Sequence, residues 1–256
     1  MLAGDFALKI LLLSGSMRGE RSASLKVARA FVKGIVEEAG ATVTEVNLCD
    51  KNIEPCHGCF VCWKATPGVC CVKDDMDELR KLVMEHDVIV EAFPLYFFNM
   101  PSQMKAFTDR MVSYVQEYRA SNGDEEGNRF LHNMRYPELN QKKLVLVSTC
   151  GYETTVGNYD SLTIMFDKIC GKGKYTTVFA PQGGVLSEKS LEAKVNKYLV
   201  KFTDAGREFA KQGRLSEDTR EKLQVPMLGH NTFDMIINMN WDKQDVGPYG
   251  RPINKE

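Results

Sequence analysis

The chain has 256 residues, of which 43% are hydrophobic and 26% are charged, values typical of a soluble globular protein with one sizeable domain. The formal net charge is −1 and there is no basic block, which argues against nucleic acid as a main partner. No apolar run approaches the roughly 20 residues that a membrane-spanning helix needs, so we expect no membrane partner.

The first predicted strand is the apolar run LKILLLS at residues 8–14. Asp5 before the run and Lys9 inside it disfavour a signal peptide, so we expect a buried strand and a cytoplasmic protein. The next loop, GSMRGERSASLK, offers serine hydroxyls, the Arg18 guanidinium and the free N–H groups of a helix that begins at Ser22–Ser24. This combination is typical of a site for a terminal phosphate, and the alternative is an ordinary helix cap with scattered serines.

The same loop lacks two well-known nucleotide-binding patterns. It has neither the Gly-x-Gly-x-x-Gly of a dinucleotide site nor the Lys-Ser/Thr pair of a nucleoside triphosphate site. A helix is predicted over residues 24–38, where apolar residues recur at helical spacing and Gly40 follows. The alternating segment 41–48 then predicts a second strand.

Five of the eight cysteines lie close together after the second strand. Cys56, Cys59, Cys62 and Cys70 form the pattern C-x2-C-x2-C-x7-C, and Cys71 is a fifth thiol. Two-residue spacers let thiolates converge on one small object, so one interpretation is a [4Fe–4S] cluster. The alternatives are a tetrahedral zinc site and reduced thiols that bind no metal. Disulfides are disfavoured because cytosolic thiols stay reduced.

A helix at 74–86, a buried strand at 87–93 and a helix at 100–118 come next. Asp74 and Asp75 are interpreted as a helix start, where the helix dipole favours carboxylates, and not as a catalytic pair. The loop between this strand and the last helix, PLYFFNMP, carries three successive aromatic residues. Such a loop suits a flat ring system with backbone amides for its polar edge, and the alternative is that the aromatics cap the core.

Residues 119–141 are polar and rich in Gly and Asn, so we expect an exposed excursion with little regular structure. A fourth strand is predicted at 142–149, and its loop, STCGYE, contains a glycine that permits close backbone approach. The remaining predicted elements are a helix at 159–171, a strand at 174–180 and helices at 187–213 and 226–243. Ser187 is the expected N-cap of the long helix.

Strands that alternate with helices at this interval predict a parallel sheet with helices on both faces. We expect an α/β domain with a flavodoxin-like five-stranded sheet, order 2-1-3-4-5, in residues 1–213. Residues 214–256 are expected to form a C-terminal extension that packs on its own or a neighbouring subunit. Ligands of such sheets bind beyond the carboxyl ends of the strands, so the loops after strands one, three and four should line one site.

In these segments the chain resembles the NADPH-dependent FMN reductase and iron–sulfur flavoprotein group of the flavodoxin-like superfamily. The resemblance covers about residues 8–180 and rests on GSMRGERSASLK, PCHGCFVCWKATPGVCCVKDDM, PLYFFNMPSQMKAFTDR and STCGYE. It implies FMN as cofactor, NAD(P)H as co-substrate and, with the cysteine motif, a [4Fe–4S] cluster.

The resemblance also implies which residues bind these groups. Those at the phosphate and the start of the first helix are Ser16, Arg18, Ser22, Ser24 and Leu25. Those at the flavin ring are Pro94, Leu95, Tyr96, Phe97, Phe98, Asn99, Gly151 and Tyr152. The cluster ligands are Cys56, Cys59, Cys62 and Cys70, with Cys71 as the other candidate for the fourth. Met17 and Ala23 depart from the residues usual in such phosphate loops.

The function implied is an FMN-dependent NAD(P)H oxidoreductase, a homodimer or homotetramer, with a small-molecule or protein electron acceptor. The alternatives are a flavin-only NAD(P)H:quinone, nitro or azo reductase, a non-enzymatic FMN and iron–sulfur electron carrier, and a zinc- or thiol-based redox sensor. No catalytic acid or base is predicted, and His57 is interpreted as a solvent-facing residue of the cysteine loop and not as a proton relay.

Overall fold

The computed structural model describes residues 7–117 and 132–242. Its strands are β1 Lys9–Ser14, β2 Thr42–Asn47, β3 Val88–Pro94, β4 Lys143–Thr149 and β5 Tyr175–Ala180. They form one sheet in the order β2-β1-β3-β4-β5, and each pairing is parallel. The predicted fold class and strand order are therefore confirmed.

Helices cover both faces of this sheet. In the described ranges the α-helices are α1 Ala23–Ala39, α2 Val61–Lys64, α3 Met76–Glu85, α4 Ser102–Arg110, α5 Asp160–Cys170, α6 Glu192–Gln212, α7 Glu217–Gln224 and α8 His230–Asp242. Helix α1 begins after Ser22, whose Oγ accepts a hydrogen bond from the Leu25 N–H, and ends at Gly40, which has a φ of +64°. None of the helices described is long and apolar enough to cross a membrane.

The two faces of the sheet bury alternate residues of the same strand. In β1, Ile10 and Leu12 pack toward α1 and α6, whereas Leu11 and Leu13 pack toward α3, α4 and α5. Side chains of a strand alternate between the faces, so a strand covered on both sides is apolar throughout. This is why the apolar run at residues 8–14 predicted a central strand correctly.

The helix predicted over residues 100–118 is shorter than expected. Helix α4 ends at Arg110, and a 3₁₀ turn, Met111–Tyr114, follows it. The Tyr114 hydroxyl donates to the Arg80 carbonyl at 2.9 Å, which pulls the chain inward. Residues 118–131 lie outside the described part of the chain, so the expectation for 119–141 is tested only in its last residues, which form a 3₁₀ turn at Pro137–Gln141.

Ser187 is not the N-cap of the long helix, which begins five residues later at Glu192. Its hydroxyl instead donates to the Arg21 carbonyl at 2.9 Å and fastens the loop after β1. Helix α7 was not predicted, although Ser216 followed by two acidic residues is a helix-start signal. The Ser216 Oγ accepts a hydrogen bond from the Thr219 N–H there.

The segment after Gly213 packs back on its own chain where it is described. Leu223 of α7 belongs to the core on the α1 and α6 side. Phe233 of α8 packs with Val185 and Leu228. The Trp241 side chain and residues 243–256, to which the sequence also assigned packing roles, lie outside the described part.

Candidate functional site

The loops after β1, β3 and β4 meet at the carboxyl edge of the sheet. The Gly15 N–H donates to the Ala92 carbonyl, and the Leu95 N–H donates to the Thr149 carbonyl, each at 2.9 Å. The hydroxyls of Ser24 and Thr149 share a buried hydrogen bond at 2.7 Å. The topology and these contacts bring together the three loops that the sequence selected, as expected for a site at the switch point.

The serines of the first loop keep hydrogen-bond donors free. The Ser16 Oγ accepts from the Arg18 N–H at 3.3 Å, and the Ser22 Oγ accepts from the Leu25 N–H at 3.2 Å. A hydroxyl that accepts in this way still has its O–H to donate. Together with the N-terminus of α1, these hydroxyls suit an anion such as a phosphate.

Two other residues of this region have polar groups without a hydrogen-bond partner among the described residues. The Ser14 Oγ is buried at the end of β1 and has no hydrogen-bond partner in the described structure. The Arg18 side chain is exposed and is in no hydrogen bond or ion pair with the described residues. Buried polar atoms are nearly always paired, so the free hydroxyl fits a polar ligand at this loop. The Leu25 side chain instead packs in the core, and only its backbone reaches the loop.

The aromatic loop after β3 is a tight turn. Tyr96 and Asn99 exchange backbone hydrogen bonds at 2.8 and 2.9 Å, and the two residues between them, Phe97 and Phe98, have φ values of +46° and +61°. Bulky residues rarely adopt this left-handed backbone, and such strain gathers at ligand sites. Phe97 is fully exposed and its neighbours are about half exposed, so the alternative that these aromatics cap the core is wrong.

The loop after β4 forms a wall against this turn. The Tyr152 ring stacks on the Phe98 ring with centroids 5.9 Å apart and planes 6° apart. A side chain added at Gly151 would meet no atom within 4 Å, so the space beside this backbone is open. A flat group could therefore approach the backbone here between polar and aromatic surfaces.

The loop after β5, which was not predicted to belong to the site, supports the site from behind. Gln182 is fully buried with a φ of +59°, and its side-chain amide makes two hydrogen bonds to the Leu228 backbone, at 2.8 and 2.9 Å. The Gln182 backbone N–H donates to the Tyr152 carbonyl at 2.8 Å. A Cβ on Gly183 would lie 2.9 Å from the Thr149 side chain. The available signal was the motif PQGG directly after a buried strand.

The five clustered cysteines line one pocket of about 240 Å³. They are Cys56, Cys59, Cys62, Cys70 and Cys71. Helix α4 connects this pocket to the loops after β1, β3 and β4. The helix starts just after the aromatic turn, and its last residue, Arg110, lines the pocket. Nine helical residues span about 12 Å, so the pocket lies beside the site that the loops form.

The thiols of this pocket have different environments. Burial, and then the nearby Cys70 thiol, raise the pKa of Cys62. The Val61 N–H lowers the pKa of Cys59, whose Sγ lies 3.7 Å from the Sγ of Cys71. Among the residues described, no three His, Cys, Asp or Glu side chains are grouped to hold one metal ion. The donor set, five thiols on one pocket, is of the kind that thiolate-bound zinc and iron–sulfur clusters use.

The structure also shows the surroundings of two other residues of the cysteine loop, Trp63 and His57. The Trp63 indole N–H donates to the Val112 carbonyl at 2.9 Å, and its ring lies 4.8 Å from the Phe60 ring, so it anchors the loop. His57 is exposed at the pocket, as predicted.

Three comparisons place the chain among known proteins. A family model described as flavodoxin-like fold matches residues 8–201. An iron-sulfur flavoprotein of Archaeoglobus fulgidus is 40% identical over 107 residues, which are 42% of this chain and 47% of that protein. FMN-dependent NADH:quinone oxidoreductase 1 of Pseudomonas fluorescens is 28% identical over 154 residues, 56% of this chain and 69% of that protein.

The chain's match spans about half the length of the iron-sulfur flavoproteins that it is similar to. Among solved structures, the NAD(P)H:quinone oxidoreductase from Methanothermobacter marburgensis superposes with a TM-score of 0.56 at 19% identity, covering 79% of this chain and 98% of that one. At that identity the likeness concerns the fold.

Proposed function

Because this chain belongs to the flavodoxin-like fold family, we propose that it is an FMN-dependent NAD(P)H oxidoreductase that also holds a [4Fe–4S] cluster. The observation that carries the proposal is the meeting of the loops after β1, β3 and β4, which are joined by the Gly15–Ala92, Leu95–Thr149 and Ser24–Thr149 hydrogen bonds. The curated relatives named FMN-dependent NADH:quinone oxidoreductase and iron-sulfur flavoprotein support the cofactors.

In this proposal the residues of the first loop bind the phosphate. The O–H groups of Ser16 and Ser22 and the N-terminus of α1 donate hydrogen bonds to phosphate oxygens, and the Arg18 guanidinium adds a charged pair. The unpaired Ser14 hydroxyl is available to a neighbouring polar group of the same ligand.

The second and third loops bind the ring system. The backbone of the turn Tyr96–Asn99 faces its polar edge, and Gly151 and Tyr152 line its other side. Bound FMN would supply the redox chemistry, taking a hydride equivalent from NAD(P)H and passing electrons to an acceptor. The protein residues position the ring, and no residue is required as a catalytic acid or base.

The cluster is proposed to lie in the thiol-lined pocket. Cys56, Cys59, Cys62 and Cys70 would hold it, since their spacing suits convergence on one group and all four side chains line the same pocket. Helix α4 would then run from the flavin loops to the cluster, since it begins after the aromatic turn and its last residue lines the pocket.

A second candidate is a flavin-only NAD(P)H:quinone or azo reductase. It is supported by the relative named FMN-dependent NADH:quinone oxidoreductase 1. In this case the cysteine loop holds reduced thiols and the acceptor is a small molecule.

The test is an anaerobic absorbance spectrum with quantification of FMN, iron and sulfide, followed by addition of NADPH or NADH. We expect flavin bands, a broad brown shoulder, and rapid bleaching by one of the two nucleotides. Flavin without iron would favour the second candidate. A bound flavin that neither nucleotide bleaches would contradict the enzyme and favour an electron carrier, and a colourless protein would contradict both candidates.

A further inference from the structure

Arg110 is a buried cation at the floor of the cysteine pocket. Its side chain is 1% exposed, and its two terminal nitrogens donate to the two carboxylate oxygens of Asp74 at 2.6 and 3.0 Å. The Asp74 side chain has no exposed surface. A bidentate pair of this kind fixes the guanidinium plane, so the direction of every N–H group of Arg110 is set.

The same guanidinium ties together the two ends of the cysteine segment. Nη1 donates to the Glu54 carbonyl at 2.8 Å, just before the first cysteine of the motif. Nη2 donates to the Val72 carbonyl at 3.2 Å, just after the last. Asp74 adds a bond from the Glu54 N–H at 2.9 Å. One ion pair on α4 and the start of α3 therefore closes the loop that carries all five thiols.

One donor of Arg110 remains without a partner. Its Nε–H is buried and makes no hydrogen bond within the described structure. Buried donors are rarely left unpaired, because the desolvation penalty is then uncompensated. Replacing a buried ion pair by well-packed apolar side chains is often neutral for the stability of the fold or even increases it. A contribution to stability therefore does not by itself explain why this buried pair is present.

The half-buried Cys70, which lines the same pocket as Arg110, offers its sulfur as a candidate acceptor for this N–H. Cys71 differs from it, since its side chain is exposed and its sulfur lies beside Cys59. The two adjacent thiols are therefore not equivalent with respect to Arg110.

We infer that Arg110 is a positioning residue for the thiol set, whose N–H donates to the Cys70 sulfur. This contact makes Cys70, and not Cys71, the fourth cluster ligand, and it raises the reduction potential of the cluster. Donors and positive charge beside the sulfurs stabilise the more negative, reduced form. The inference rests on the proposed function, because it requires a cluster in this pocket.

The ligand assignment is tested with two adjacent substitutions. Cys70→Ser should lose iron and sulfide, whereas Cys71→Ser, the matched control, should keep both, and FMN should remain bound in each variant. Iron retained in Cys70→Ser, or lost only in Cys71→Ser, would overturn the assignment.

The role of Arg110 is tested by the potential of the cluster, measured in an anaerobic redox titration followed by electron paramagnetic resonance. The double variant Arg110→Met with Asp74→Leu removes the pair without leaving a lone buried charge. We expect its cluster potential to fall by at least a tenfold change in the reduction equilibrium, about 59 mV for one electron. The flavin potential should not change, and Lys105→Met, which removes an exposed cation of the same helix, should leave both potentials unchanged.

If the double variant assembles no cluster, Arg110→Lys replaces it, because lysine keeps the charge and lacks the fixed N–H fork. A cluster potential equal to that of the unmodified protein, in whichever variant carries a cluster, would overturn the inference. A wild-type protein without iron would instead contradict the proposed function, so the two failures are distinguishable.

Discussion

Arg18 is the residue whose proposed role can be isolated most simply. Its exposed side chain has no partner among the described residues, so its removal disturbs no internal contact. We expect Arg18→Ala to weaken FMN binding by about 1.5–3 kcal/mol, the value of a charged hydrogen bond, or about 10- to 150-fold in Kd. The measurement is an equilibrium titration of flavin-free protein with FMN.

Arg21→Ala is the matched control for this prediction. Arg21 is an exposed residue of the same loop and its loss changes the net charge equally. Its Kd should stay close to that of the unmodified protein. Equal Kd values for Arg18→Ala and the unmodified protein would show that the phosphate does not contact Arg18.

Glu91 is a buried carboxyl on the central strand β3, and one of its oxygens has no hydrogen-bond partner within the described ranges. Burial raises the pKa of Glu91 from 4.5 to about 7. The folded state therefore keeps a proton that the unfolded chain releases, and the associated stability, about 3 kcal/mol, is lost as pH rises from about 4.5 to 7. We expect Glu91→Gln to be more stable than the unmodified protein at pH 8 and similar at pH 4.5.

Urea unfolding at both pH values measures this difference. Glu221→Gln, which changes an exposed carboxylate of α7, is the control and should follow the unmodified protein. Parallel stability curves for Glu91→Gln and the unmodified protein across this range would contradict a protonated Glu91.

At the scale of elements, α1 and α6 cross at two glycines. A Cβ on Gly206 would lie 1.9 Å from the Phe31 carbonyl oxygen and 3.1 Å from the Gly34 Cα. Overpacking of this kind costs about 1–3 kcal/mol, and each kcal/mol lowers the Tm of a chain this size by about 2–4 °C. We expect Gly206→Ala to lower the Tm accordingly without changing the FMN Kd.

Gly184→Ala is the control for the helix crossing, since its Cβ would meet only the Ile237 side chain at an ordinary 3.7 Å. Its Tm should change little. Equal thermal stability of Gly206→Ala and Gly184→Ala would show that the two helices are not in such close contact.

Most elements could be predicted from the sequence, because their signals are local. Ser22 and Gly40 delimit α1, and Gly213 ends α6 with a φ of +68°, as their residue types indicate. The errors occur where a residue has a distant partner. Ser187 bonds the Arg21 carbonyl instead of a helix start, and α4 ends where Arg110 turns to a partner on another element.

The same distinction applies to the candidate site. The three loops could be predicted to meet, because strand order alone brings the carboxyl ends of β1, β3 and β4 together. Gln182 and Arg110 could not, because their partners, Leu228 and Asp74, lie 46 and 36 residues away in the chain. Asp74 was expected to start a helix, and it does accept the Met76 N–H, but its main partner is this buried arginine.

At the scale of the whole molecule, we propose a homodimer or homotetramer. The rim of the candidate site carries exposed apolar side chains, among them Phe97, Tyr152 and Val156. Contiguous exposed apolar surface often marks an interface. Size-exclusion chromatography with light scattering should give the mass of two or four chains, and the mass of a single chain across micromolar concentrations would contradict the proposal.

In the proposed enzyme, three separate loops close around one FMN. The most direct test is hydrogen exchange, followed by mass spectrometry, of the flavin-free protein with and without FMN. We predict that FMN slows exchange in peptides covering residues 15–25, 94–99 and 149–152 together, while peptides at the crossing of α1 and α6 do not change. Slowed exchange in only one of these loops, or at a different edge of the sheet, would contradict an FMN site formed by all three loops.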